Sequence, residues 1–423
     1  MSEGRVYFVI DMKSFFASVE CAERGLDAMT TNLVVADGTR GSGTICLAIS
    51  PAMRKLGIRN RCRLYEIPQN VDYILAPPRM KKYIEYAAEI YAIYLKYISK
   101  NDIHVYSIDE CILDVTDYLK YYKTTAKPFA QKLMNQILDK LGIPSSVGIG
   151  TNMYLAKIAL DITAKSAKDR IGWLNEEKFV KTLWHHRPLT DFWQISEGTV
   201  SRLRKYGIFD MEGIAKADED SLYKEFGVNA ELLIDHAWGR EPCLMSDIKN
   251  YKSQSKSISS SQILPCNYTF DEARVVMKEM VQNGCYDLAN QNYATQLVHV
   301  YVSYGDRKGE GDKGTQRLSV VTNLYSIIGK TCDELFCKVA DHKKLIRKIG
   351  YCFDDLVPEN DEIYDFFTDF DNVKKEKVKT RAVLEVKDKY GKNSILKGLD
   401  YEDKATQRER NVSIGGHKSG EKM

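Results

Sequence analysis

The chain has 423 residues, 61 basic against 58 acidic side chains for a net charge of +3, and is 44% hydrophobic and 28% charged. That is the profile of a soluble globular protein of two to four domains of ~100 to 200 residues each. No run of about 18 apolar residues occurs, Glu3 breaks any signal-peptide pattern, and the ten cysteines show neither Cys-x-x-Cys pairs nor zinc spacing. Membrane spans and zinc sites are thereby excluded, and a cytoplasmic protein with reduced thiols is expected.

In chain order, Val6 to Ile10 reads as a short strand ending at Asp11, and Ser14 to Arg24 as a helix with Phe15, Val19 and Ala22 on one face. A glycine-rich break at Asp37 to Gly43 leads into a strand over Thr44 to Ile49, then a short helix from Pro51 to Ile58. Arg59, Arg61 and Arg63 alternate along an extended segment. From Pro77 to Lys100 apolar residues recur every three or four positions, a long amphipathic scaffold helix. Apolar runs at Ile103 to Tyr106 and Cys111 to Val115 form a hairpin. A helix from Thr125 to Leu141 ends at Gly142 and Pro144, and a strand over Ser146 to Gly150 enters a helix carrying Lys157. These elements predict an α+β unit with helices on one face of a mainly antiparallel sheet.

Residues 166–240 read as helical, and 247–254 as a polar linker. A β-α-β-β-α unit then spans 250–353, with Lys256, Ser257, Ser259, Arg317 and Ser319 making one sheet face polar. Residues 354–423 change composition sharply. Asp354 to Asp371 holds eight acids and no Lys or Arg, whereas from Asn372 onward basic residues outnumber acids by fourteen to eight. Such a segment is expected to be a largely flexible tail, with one helix near Val378 to Tyr390.

The hairpin is the most informative stretch. Asp109 and Glu110 sit where it turns over, and burying both would cost several kcal/mol each unless something neutralises them. Oxygen-only ligands suit Mg2+, which takes a few carboxylates and leaves its other positions to water and phosphates. Asp11, at the end of the first strand, supplies a third acid. Three acids on neighbouring strand ends are what two-metal phosphoryl transfer requires.

Val-Ile-Asp-Met-Lys-Ser-Phe-Phe-Ala-Ser-Val-Glu at 9–20, Tyr-Ser-Ile-Asp-Glu-Cys-Ile-Leu-Asp at 106–114 and Ser-Val-Gly-Ile-Gly-Thr-Asn at 146–152, followed by Leu-Ala-Lys-Ile-Ala, closely resemble the Y-family translesion DNA polymerases, of the UmuC-like bacterial branch, over roughly residues 5 to 350. The resemblance implies a right-hand polymerase. Its palm would be 1–11 and 76–165, its fingers 12–75, its helical thumb 166–240 and its little finger 250–353. It further implies two Mg2+ ions on Asp11, Asp109, Glu110 and the Met12 carbonyl, with primer-template DNA and deoxynucleoside triphosphates as substrates.

Within that pattern Arg54 and Lys157 are triphosphate ligands, although Lys157 lies on a helix face where a lysine is ordinarily solvated. Phe15 and Phe16 lie beside the nucleotide, with Phe16 at the sugar-gate position. Pro51 stands where the family often has a triphosphate-binding tyrosine, and Lys13 where it has an acid or asparagine; Lys13 is expected to face away. Ile195 to Ile208 resembles the thumb helix-hairpin-helix, which would offer the Gly198 and Thr199 backbone to a DNA phosphate, with Ser196-Glu197-Gly198 in place of Gly-x-Gly. Lys256, Ser257, Ser259 and Arg317 would grip backbone phosphates. Ile363, Tyr364, Asp365, Phe366 and Phe367 loosely resemble the family's sliding-clamp-binding peptide. Two competing classes are a catalytically silent DNA-binding scaffold at lesions and a nucleotidyl cyclase, which shares palm chemistry but needs no thumb.

Overall fold

The apolar run Tyr7-Phe8-Val9-Ile10 has no polar face, so its strand must be covered on both sides. The computed structural model describes residues 4–253, 256–305, 310–364 and 368–420 and divides into two compact units, 1–251 and 252–423. Strands of the first unit are β1 (Tyr7–Met12), β2 (Leu33–Val35), β3 (Ala48–Ile49), β4 (Ile74–Ala76), β5 (Ile103–Val105), β6 (Glu110–Asp114), β7 (Ser145–Gly150) and β8 (Ile171–Leu174). Its first six helices are α1 (Phe15–Ala22), α2 (Pro51–Lys55), α3 (Met80–Leu95), α4 (Thr116–Tyr121), α5 (Ala126–Leu141) and α6 (Met153–Ile158).

The main sheet has the order β5-β6-β1-β7-β8, antiparallel except for the β7–β8 pair. Strand alternation sends Phe8, Ile10 and Met12 into a core shared with α1, α3 and α5, through Phe15, Tyr94, Phe129 and Leu133. Helix α5 buries Phe129, Ala130, Leu133, Met134 and Ile137, one stripe at helical spacing, and stops where Gly142 turns left-handed at φ 69°.

Helices cover both faces of this sheet, not one as expected. Tyr7, Val9 and Ile112 point the other way and pack on Met153, Ala156 and Leu160. Glycine makes that second layer possible. A Cβ on Gly148 would lie 2.0 Å from the Ala156 carbonyl oxygen, and one on Gly150 would lie 2.2 Å from the Ala156 nitrogen. Val-Gly-Ile-Gly therefore leaves a bare strip on which α6 rests backbone to backbone.

A small sheet, β3-β2-β4, accompanies α2. Only Ala48–Ile49 of the expected strand at 44–49 pairs there, with Ile45 making an isolated bridge to Arg63. Helices Glu176–Leu183, Glu197–Arg204, Met211–Ala215, Glu219–Phe226 and Asn229–Ala237 enclose Phe179, Phe192, Leu203 and Ile214. The expected linker at 247–254 is partly helical. Met245–Asn250 is a short helix that buries Met245, and Lys249 Nζ donates to the Ile103 carbonyl at 2.5 Å.

The second unit is an antiparallel sheet of β9 (Ile258–Tyr268), β10 (Tyr293–Tyr304), β11 (Gly311–Thr322) and β12 (Ile346–Asp354) in the order β11-β10-β12-β9, with β13 (Val357–Pro358) paired to β10. Helices Phe270–Asn290 and Tyr325–Val339 bury Met277, Met280, Cys332 and Phe336 against it. Thr269 and Glu272 start the first of these helices with a reciprocal capping box.

The flexible tail expected at 354–423 is instead structured over much of its length. A 21-residue helix runs Phe370–Tyr390, and Gln407–Asn411 forms a shorter one. The composition shift conceals complementary charge. Basic residues of the later half pair with acids of the earlier half, Arg381 with Glu359 at 2.6 Å and Lys377 with Glu359 at 3.4 Å and with Glu362. Further along, Glu279 of the long helix accepts from the Thr406 and Gln407 backbone amides at 3.0 and 3.2 Å. No helix among the described residues is long and apolar enough to cross a membrane.

Candidate active site

Antiparallel pairing of β1 with β6 sets Asp11 directly opposite Glu110, and the Met12 amide donates to the Asp109 carbonyl at 3.0 Å. Alternation puts Asp11 on the Tyr7 and Val9 side of the sheet, under α6. Like charges directly opposite on one sheet face destabilise it. Burial, then Asp109 and Glu110, push the Asp11 carboxyl up to about 7. Burial also raises Glu110, against the pull of Lys157. Asp109 is half-buried and accepts from the Ser107 hydroxyl at 2.6 Å.

Lys157 is 8% exposed, not the solvated residue that its helix position suggests. The glycine strip lets α6 lie close enough for Lys157 Nζ to reach Glu110 Oε2 at 2.8 Å and Asp161 Oδ2 at 3.1 Å. Burial pulls the ammonium down, but Glu110 and Asp161 outweigh it and its pKa is raised. Asp161 was missed in the sequence. It lies in Ala159–Thr163, a π-helical turn continuing α6, and the Lys-x-x-x-Asp spacing was its available signal.

Among the described residues, no three Asp, Glu, His or Cys side chains stand ready-arranged around a metal position. The donor set nevertheless fits a divalent cation. It is all oxygen, the Asp11 carboxyl is crowded by like charge, and Glu110 Oε1 is buried without a hydrogen-bond partner.

Phe15 and Phe16 diverge as successive helical residues must. Phe15 is 2% exposed and its ring belongs to the core. Phe16 is half-buried and stacks on Tyr83 with ring centroids 4.5 Å apart and planes 14° from parallel. The Tyr83 hydroxyl donates to Glu20, which also receives Arg79 at 2.8 and 2.9 Å, so the ring behind Phe16 is anchored to a buried ion cluster. Arg54, in the last turn of α2, is exposed.

Around the helical hairpin, Ser196 caps Glu197–Arg204 and accepts from the Thr199 amide at 3.2 Å. That amide is therefore engaged, while Gly198 sits in the first turn beside Glu197. In the second unit Lys256, Ser257 and Ser259 are exposed, but Lys256 lies over the Tyr293 ring and Arg317 is paired with Asp355 at 3.2 Å. Ile363 is 66% exposed and bridges Val321, and the Tyr364 hydroxyl lies 3.3 Å from that of Thr322. Asp365, Phe366 and Phe367 lie outside the described residues.

Residues 10–161 match the model of the impB/mucB/samB family, and residues 255–366 match the C-terminal domain model of the same family. The chain is 30% identical over 415 residues to UvrX of Bacillus subtilis (strain 168), named for UV-damage repair, covering 97% of each. It is 28% identical over 424 residues to DNA polymerase IV 2 of the same organism, covering 99% of this chain and 100% of that one. The solved Y-family DNA polymerase chimera Dbh-Dpo4(243-245)-Dbh has a TM-score of 0.65 at 22% identity, over 84% of this chain and 99% of that one, a likeness of fold.

Proposed function

We propose that this chain, which belongs to the impB/mucB/samB family, is a DNA-directed DNA polymerase that extends primers across damaged template. The observation that carries the reading is the direct opposition of Asp11 and Glu110, with Asp109 one residue away, on a sheet that otherwise buries apolar side chains. Relatives named DNA polymerase IV and a Y-family polymerase fold support it. On this reading residues 1–11 and 76–165 are the palm, 12–75 the fingers, 166–240 the thumb and 250–353 the little finger.

Asp11, Asp109, Glu110 and the Met12 carbonyl would hold two Mg2+ ions, which when bound would activate the primer 3′-oxygen and stabilise charge on the leaving pyrophosphate. Arg54 and Lys157 position the triphosphate, a role served by point charge and hydrogen bonding. Lys157 exchanges Glu110 for phosphate as nucleotide arrives, and Asp161 keeps a hold on its ammonium. Phe16, backed by Tyr83, occupies the volume that a ribose 2′-hydroxyl needs. The Gly198 amide, Lys256, Ser257, Ser259 and Arg317 contact DNA phosphates, Arg317 after leaving Asp355. The exposed Ile363 begins a segment, through Phe367, that docks on a sliding clamp; no binding of that peptide at ~100 μM would reject this.

Primer extension with Mg2+ tests the central claim. Asp109→Asn and Glu110→Gln keep shape but remove ligand charge, so extension falls by orders of magnitude while DNA affinity changes little. Near-normal extension by both variants overturns the assignment.

A further inference from the structure

A circuit of side chains leaves α6 beside Lys157, passes through the helical stretch 166–240 and returns to Lys157. Tyr154, three residues before Lys157, is fully buried and stacks on His236 with ring centroids 3.8 Å apart and planes 15° from parallel. His236, itself 3% exposed with its Nε2 3.1 Å from Glu241, stacks in turn on Trp193 at 6.3 Å and 20°. Trp193 then crosses to the hairpin of β5 and β6. Its Nε1, which can only donate, gives its hydrogen to the Tyr106 hydroxyl at 3.0 Å, and the two rings meet edge to face at 5.9 Å and 76°. The circuit closes because the Lys157 ammonium lies over the Tyr106 ring, 5.7 Å from its centroid.

Two further observations give this circuit a use beyond filling space. Phe192 and Ile195 are buried in the helical core, and between them the Ile195 amide donates to the Phe192 carbonyl at 3.1 Å, closing a turn with Gln194 left-handed at φ 68°. Turns with φ above zero at that position favour glycine, so a residue with a side chain there is strained, and such strain collects where geometry serves function. What the strained turn presents is Trp193. At the other end, the Tyr106 and Ser107 amides both donate to the Glu110 carbonyl, at 3.0 and 3.1 Å, which ties the Tyr106 ring to the turn that bears Asp109 and Glu110. Tyr106 is 44% exposed, so a lone bond to its hydroxyl adds little to stability; what it fixes is position.

We propose that Tyr106 and Trp193 form a latch that sets where the helical stretch stands over the acids and Lys157, and that both are positioning residues for nucleotidyl transfer. The reaction is taken from the polymerase reading, while the latch itself can be tested without it. Latched, Tyr106 offers Lys157 an aromatic face when its ammonium leaves Glu110 for phosphate, and Trp193 lines, together with Asp161, one open cleft beside that ammonium. Unlatched, α6 keeps its bed on the glycine strip but loses its tie to the hairpin, so the thumb and the acids move independently.

Tyr106→Phe and Trp193→Phe each delete the hydrogen bond from one end and keep a ring in place, so the full chain should stay folded in both. In primer extension each should lower kcat at least about fivefold, with KM for nucleotide and Kd for primer-template within about twofold of wild type. A bond that served stability alone would lower the melting temperature and leave kcat where it was. Because both residues act through one contact, the double variant should be no slower than the slower single. Unchanged kcat in both singles, or losses that multiply, overturns the latch. With DNA and nucleotide absent, hydrogen exchange of the Tyr106 and Ser107 amides should quicken in Trp193→Phe while β9 to β12 stay unchanged; equal exchange in wild type and variant also overturns it. Quickened exchange in a protein whose wild type never extends a primer would refute the polymerase reading and leave the latch standing.

Discussion

Replacing Gly150 by alanine puts a methyl group where α6 already is. The new Cβ would lie 2.2 Å from the Ala156 nitrogen, 2.7 Å from the Leu155 carbonyl carbon and 2.8 Å from the Ala156 Cα, all backbone atoms with no rotamer to escape into. Reaching ordinary contact at 3.4 Å requires α6 to rise about 1.2 Å from the sheet. Lys157 follows Ala156, so its 2.8 Å bond to Glu110 would stretch to roughly 4 Å and be lost. Overpacking of this kind costs ~1 to 3 kcal/mol, and a misplacement of about 1 Å at a catalytic group costs ~100-fold in rate. Thermal melting and steady-state primer extension on Gly150→Ala measure the two effects. Gly398→Ala is the control, because a Cβ there meets nothing within 4 Å. If Gly150→Ala retained wild-type melting and kcat/KM within about twofold, the glycine strip would not be what places Lys157.

Phe15→Ala empties a fully packed site and should cost ~3 to 5 kcal/mol, whereas Phe16→Ala, half-exposed, should stay folded and accept ribonucleotides much more readily; an unchanged deoxyribonucleotide to ribonucleotide ratio removes Phe16 from the site. Because the Asp11 carboxyl is pushed up to about 7, metal must displace a proton there below that pH, so at limiting Mg2+ the apparent metal affinity should rise roughly tenfold per pH unit up to about 7 and then level off. Burial raises Glu279 to about 7 despite the Thr406 and Gln407 amides. Its folded pKa thus exceeds its unfolded one, so the stabilisation is complete below about pH 4.5 and is lost as pH rises through about 7, by up to about 3 kcal/mol. Hydrogen exchange at 406–411 should therefore show tighter docking of this segment at pH 5.5 than at pH 8, after correction for intrinsic rates.

What the sequence disclosed depended on whether the cause was local. Asp109 and Glu110 stood out because two carboxylates interrupt apolar runs, whereas helical geometry implied only that one of Phe15 and Phe16 faces the sugar, and the family resemblance chose Phe16. Asp161 escaped because it acts through Lys157, four residues before it, on a turn whose π winding no simple periodicity announces. The second helical layer was visible in Val-Gly-Ile-Gly, had glycine alternation been read as a demand for close backbone approach and not as a weak strand. The tail misled for a different reason. Its acidic and basic halves each have a composition that argues against a packed core, and only their pairing, Arg381 and Lys377 with Glu359, shows that one half neutralises the other.

The π-helical turn at Ala159–Thr163 also constrains how this protein can change over generations. Such a turn holds one residue more than an α-helix of the same rise would need, so deleting a single residue there restores regular winding without opening a gap. Restoration is not neutral. Every side chain after the deletion would swing by about 100° around the axis. Asp161 would leave Lys157, and Ala164, whose amide nitrogen lies 2.8 Å from where a Cβ on Gly172 would stand, would no longer meet that bare strand position. Length variation is thus readily absorbed in the exposed loops, while a one-codon loss in this turn should behave as severely as the loss of a catalytic side chain.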